Sequence, residues 1–152
     1  ELIHYTGFEK RVGDILIQEP LMRLLGSLLG SSDIVAQMAD RCYLEKCRDR
    51  LYPEFVAGGI AVRNTENGDE VIFKSGDDLV EKTPAFFETA VNRLEYDLGG
   101  AYNYAAIHFG GFNLYLHAAT KNIHFAKQMA LNSKYTLRRT PPDTLPEANT
   151  VQ

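Results

Sequence analysis

Asn67-Gly68 separates two short runs that alternate apolar and polar residues, Ile60–Arg63 and Glu70–Lys74, and no other feature constrains the fold as strongly. Asn and Gly both accept the positive φ that a type I′ turn demands, so the runs are expected to pair as an antiparallel hairpin spanning about 58–75. Before Pro53 the apolar spacing is helical. Phe8, Val12, Ile15 and Leu16 fall at helical spacing, and Pro20 ends that stretch or opens the next one. Leu21, Leu24, Leu25, Leu28 and Leu29 form a very apolar helical patch. Gly30-Ser31-Ser32-Asp33 is read as a break that caps a further helix to about Arg50, with Ile34, Val35, Met38, Ala39 and Cys42 inward.

Beyond the hairpin, Thr83-Pro84 reads as an N-cap and first-turn proline. Phe87, Ala90, Val91, Leu94 and Leu98 then share one helical face up to a stop at Gly99-Gly100. A second glycine pair, Gly110-Gly111, divides Tyr102–Phe109 from Phe112–Ala119, which also alternate. Taken as a two-residue turn, it pairs Phe109 with Phe112, Ile107 with Leu114, Ala105 with Leu116 and Tyr104 with His117. One face of this hairpin, about 102–119, is then core: Ala105, Ile107, Phe109, Phe112, Leu114 and Leu116. The other carries Tyr102, Tyr104, Ala106, His108, Asn113, Tyr115 and His117. Thr120 or Asn122 caps a last helix to about Tyr135, with Ile123, Ala126, Met129 and Ala130 inward. The expected class is α+β, an antiparallel sheet of two hairpins flanked by helices, with a helical N-terminal third. Residues 1–137 form the domain, 1–30 being a helical extension, and the proline-containing stretch 138–152 is a flexible tail or linker.

At 152 residues and 45% apolar composition the chain suits one core, and its net charge of −4 gives it no general attraction for nucleic acid or anionic membranes. That average conceals a split. Residues 1–97 hold 18 acids against 11 lysines and arginines, whereas 98–142 hold Lys121, Lys127, Lys134, Arg138 and Arg139 and no acid. Cys42 and Cys47 lie about 140° apart around a helix, too divergent for a disulfide or shared metal, and read as small buried hydrophobes. Two unpaired thiols suit a reducing, cytoplasmic compartment. No apolar run is long enough to span a membrane. The chain opens at Glu1 rather than methionine, as an excised or processed piece would.

The polar face of the second hairpin is the candidate site. Tyr102, Tyr104 and Tyr115 supply rigid stacking area, while His108, Asn113 and His117 supply hydrogen bonds. The bland alternative is a tyrosine face covered by a helix or wetted by water. HExxH, CxxC and paired Cys-His spacings do not occur, so no metal or other cofactor is implied. The cysteines occupy no strand-to-helix elbow, and Gly58-Gly59 and Gly99-Gly100 continue into no phosphate-loop pattern, so no catalytic residue is assigned. Sheet tyrosines beside a basic helix also suit single-stranded nucleic acid, but the basic residues are few and the rest of the chain is acidic.

The stretches Phe55–Val62, Asn67–Ile72 and Leu94–Gly99 resemble, in layout, the roadblock and longin group of profilin-like domains. That resemblance implies a central antiparallel sheet packed by helices, and a dimerising adaptor or regulator of small GTPases. The chain is also similar in size and acidity to small secretion chaperones, which bind extended segments of other proteins. The function expected is therefore protein interaction without catalysis, through self-association or a protein partner. Its rival is a small-molecule or enzymatic site on the Tyr/His face, with Lys121 or Lys127 matching an anion.

Overall fold

The computed structural model describes residues 1–7, 10–66, 68–132 and 136–139. Short 3-10 turns at Leu2–Tyr5 and Val12–Asp14 lead into α1, Pro20–Ala39. Then follow α2 (Tyr43–Lys46), a π-helical turn (Cys47–Leu51), α3 (Tyr52–Ala57), β1 (Val62–Thr65) and β2 (Gly68–Val71). The chain continues as α4 (Gly76–Asn92), a second π turn (Arg93–Asp97), a 3-10 turn (Ala101–Asn103), α5 (Tyr104–His108) and α6 (Leu114–Leu131). The class is α+β with a helical N-terminal third, as expected. Helices dominate it.

α6 packs against both α1 and α4, and the core collects where the three meet. Ile34, Val35 and Met38 enter it from α1, Leu79, Phe87 and Ala90 from α4, Ala119 and Ala126 from α6, and Tyr43 and Leu44 from α2. Tyr43 and Phe87 stack as tilted rings with centroids 5.6 Å apart. Asn122 ties α6 to the end of α1, its side-chain amide donating to the carbonyls of Met38 (2.8 Å) and Asp40 (2.7 Å). Those carbonyls lie where a helix C-terminus runs out of its own donors.

The first hairpin is present, and β1 pairs with β2 from Val62 opposite Val71 to Thr65 opposite Gly68. The last pair, Thr65 with Gly68, already places Gly68 in the second strand rather than in a turn centred on Asn67-Gly68, and Asn67 itself lies outside the described residues. All eight strand residues are exposed, so the hairpin covers no core. Its base is anchored instead, with buried Ala61 accepting at its carbonyl from the amides of Ile72 and Phe73.

The second hairpin does not form. Residues 104–108 and 114–131 are helical, and Gly110-Gly111 is the stop that ends α5. Its residues have φ of 71° and 118°, and the Gly111 amide donates to the Ala106 carbonyl at 2.7 Å. Gly99-Gly100 performs the same duty after Asp97, with φ of 61° and 68° and Gly100 N donating to Leu94 O at 2.9 Å. A glycine pair serves a hairpin turn or a helix stop equally well, since both need positive φ. The expected core face is consequently wrong. Ile107, Phe112 and Leu114 are exposed, and Ala105, Phe109 and Leu116 only half-buried.

Other boundaries move for local reasons. α1 runs straight through Gly30-Ser31-Ser32 because Gly26 and Gly30 let Tyr5 lie directly on the helix. Its start is capped by Glu19, whose carboxylate accepts from Leu21 N and Met22 N behind Pro20. The Phe8–Ile17 stretch is no continuous helix, with residues 12–14 forming a single 3-10 turn and residues 8 and 9 outside the described set. α4 starts earlier than Thr83-Pro84, at a Ser75 cap accepting from Asp78 N at 3.1 Å. Pro84 sits inside it, and Thr83 donates to the Leu79 carbonyl at 2.9 Å. Val91 and Ala130, expected inward, are exposed. Thr120 and Asn122 lie within α6, which is capped by Asn113. Of the expected tail, residues 140–152 lie outside the described residues, while Arg139 meets the body through its amide on Glu45 Oε1 at 3.1 Å.

Candidate functional site

The three tyrosines do come together, although not on a sheet. Tyr102, Tyr104 and Tyr115 line one side of a cavity of about 350 Å³, and α1 lines the other with Leu28, Ser31, Ser32, Val35 and Ala36. Tyr102 is held by its hydroxyl, which donates to the Glu95 carboxylate. That bond keeps the proton on the phenol and raises the Tyr102 pKa, with partial burial adding to the effect. Tyr115 is held by edge-to-face ring packing on Phe109, with centroids 5.2 Å apart. The lining carries no charged side chain. Ser31 is 2% exposed, and its Oγ has no hydrogen-bond partner among the described residues.

The other three expected residues are elsewhere. Asn113 is the N-cap of α6, accepting from Leu116 N at 3.0 Å and donating to Tyr102 O at 3.1 Å. It positions the tyrosine segment and offers little to a ligand. His108 lies against Phe109 and His117 against Phe112, at 4.9 and 5.3 Å between ring centroids, and neither lines the cavity. Helical geometry is the reason: α5 ends at His108, and His117 lies more than half a turn of α6 from Tyr115. Among the described residues no three His, Cys, Asp or Glu side chains gather to hold a metal.

Both cysteines are buried. Burial pushes the Cys47 thiol up to about 11, opposed by its hydrogen bond with Tyr43. A thiol with that pKa is a poor nucleophile at neutral pH. The unfolded thiol ionises first as pH rises, so Cys47 supports the fold fully below about pH 8.5 and progressively less towards 11. Urea unfolding is expected to show a loss of about 3 kcal/mol by pH 11 that Cys47→Ala does not share.

Sequence reasoning missed a second cavity, of about 680 Å³, between α2, α6 and residues 136–139. Arg41, Lys121, His124, Arg138 and Arg139 surround it. The signal was the acid-free window, which holds four of those five residues. No helix among the described residues is long and apolar enough to cross a membrane. No family model, curated protein or solved structure matches the chain.

Proposed function

We propose that this chain is a non-catalytic protein-interaction domain, working as a dimer or within a larger assembly. The carrying observation is the outer face of α1, where Leu21, Leu25 and Leu29 are 60%, 44% and 41% exposed. Spacing of four residues sets them in one stripe, and Ser32 and Ala36 extend it to the tyrosine cavity. Ile107, Phe112 and Leu114 are exposed as well and add apolar surface. Each leucine fully withdrawn from water contributes about 1.5–3 kcal/mol, which favours association over a solvated monomer. An adaptor or regulatory role, as the roadblock and longin resemblance implies, is the finer form of this proposal.

Light scattering across a concentration series, with pull-down from lysate, tests it. The wild type is expected to self-associate or recover a partner, and Leu21→Glu with Leu25→Glu to lose that association. The melting temperature is expected to stay within a few degrees, because neither side chain is buried in the domain. A wild type that remains monomeric and recovers no partner overturns the proposal.

Ser31 favours a second reading, a small neutral ligand in the tyrosine cavity. A hydroxyl buried without a partner costs about 1–3 kcal/mol, which a ligand contact or trapped water offsets. Thermal stabilisation across a panel of neutral metabolites tests this, since a ligand at about 100 times its Kd adds about 2.7 kcal/mol.

A further inference from the structure

We propose that the cavity between α2, α6 and residues 136–139 binds a small soluble anion carrying two or more phosphoryl groups. The inference goes beyond the interaction reading and shares no residue with the leucine stripe or the tyrosine cavity.

The charge lining this cavity is unbalanced. Arg41, Lys121, Arg138 and Arg139 come from three separate parts of the chain to line one concavity, and Glu45 is the lone acid among its lining residues. Among the described residues, none of those four side chains has a carboxylate within 4.0 Å, whereas Lys46, Arg48, Lys82 and Lys127 each do. Like charges brought together without counter-charge repel, and an anion between them removes that repulsion.

The charges are also gathered by specific bonds. Glu45 is 4% exposed and spends one carboxylate oxygen on the Arg139 backbone amide, at 3.1 Å. The Arg139 guanidinium donates to the backbone carbonyl of Arg41. These two contacts hold the segment bearing Arg138 and Arg139 beside Arg41. Lys121 and His124 are three residues apart on α6 and so project from one side of that helix.

Guanidinium forks match phosphoryl oxygens in pairs, and a lysine ammonium adds a point charge, so this donor set suits several phosphoryl oxygens at once. A small ligand fits better than a nucleic acid strand. The cavity is bounded at about 680 Å³, and residues 1–97, with 18 acids against 11 basic residues, oppose a long polyanion laid across the surface.

Isothermal titration of the full chain with tripolyphosphate at low ionic strength tests the proposal. Saturable binding of one equivalent is expected, weakening as salt is raised. Arg41→Gln and Arg138→Gln are each expected to weaken it about tenfold or more, while Arg63→Gln on the exposed hairpin leaves it unchanged. All three side chains are exposed, and matching thermal melts establish that the variants are folded. Absence of saturable binding overturns the proposal, as does binding that survives Arg41→Gln combined with Arg138→Gln. Binding of a single-stranded oligonucleotide without binding of tripolyphosphate overturns it in favour of nucleic acid. Self-association is measured separately, so failure here leaves the interaction reading standing and the reverse also holds.

Discussion

Gly30→Ala is expected to destabilise the protein by about 2 kcal/mol or more, although alanine is the better helix former by about 1 kcal/mol. A Cβ at position 30 would lie 2.4 Å from the Tyr5 carbonyl oxygen and 3.1 Å from a Leu98 methyl. The carbonyl cannot simply retreat. Arg93, buried in the π turn after α4, donates to Tyr5 O at 2.9 Å and to Gly7 O at 2.5 Å, clamping the N-terminal segment onto α1. Relief therefore requires the segment to lift, taking with it Tyr5, one of the most completely buried side chains. Gly13→Ala is the control: nothing lies within 4 Å of the added methyl and the backbone φ is not positive, so its effect should be near zero. Urea midpoints for the two variants decide the matter. Equal midpoints would mean that the N-terminal segment is not clamped on α1.

Gly30 also shows where sequence reasoning stops. A glycine followed by two serines ordinarily weakens a helix, and read locally it marks a break. What keeps α1 continuous there is the close approach of Tyr5, a contact 25 residues away in sequence that no window of helical length contains. Gly110-Gly111 failed differently. Its requirement for positive φ was legible, but the choice between turn and stop was not, because a short alternating run containing Ala105-Ala106 fits helix nearly as well as strand. Asn113 was the neglected clue. As an N-cap it starts α6 at Leu114, and the supposed second strand becomes the first turns of a helix.

The features read correctly were those with a single local solution. Residues flanking Asn67-Gly68 pair as strands, and Gly99-Gly100 ends a helix whose Phe87, Ala90, Leu94 and Leu98 are all buried. The site was legible in part. Tyr102, Tyr104 and Tyr115 meet at one cavity, and across Gly110-Gly111 the Phe109 ring packs on Tyr115. The histidines belonged to that face only under strand alternation, and they leave it once the period is helical. The basic cavity was visible as a charge imbalance, but its walls were not, since Arg41 joins from the turn between α1 and α2, outside the acid-free window.

Phe87→Ala is expected to cost about 3–5 kcal/mol, enough to unfold a domain of ordinary stability under mild conditions. Phe87 is 1% exposed, belongs to the core cluster from α4, and stacks on Tyr43 of α2, whose own burial raises its phenol pKa. The opposite result is expected for Tyr104→Ser and Tyr115→Ser. These side chains are 52% and 49% exposed, so each substitution should change stability by about 1 kcal/mol or less while weakening association. The comparison has force because all three positions are aromatic and would be treated alike by hydrophobicity alone. Tyrosine variants that unfold as readily as Phe87→Ala would make this face part of the core and remove it from the interaction proposal. Folded variants with unchanged association would confine the partner surface to the leucines of α1.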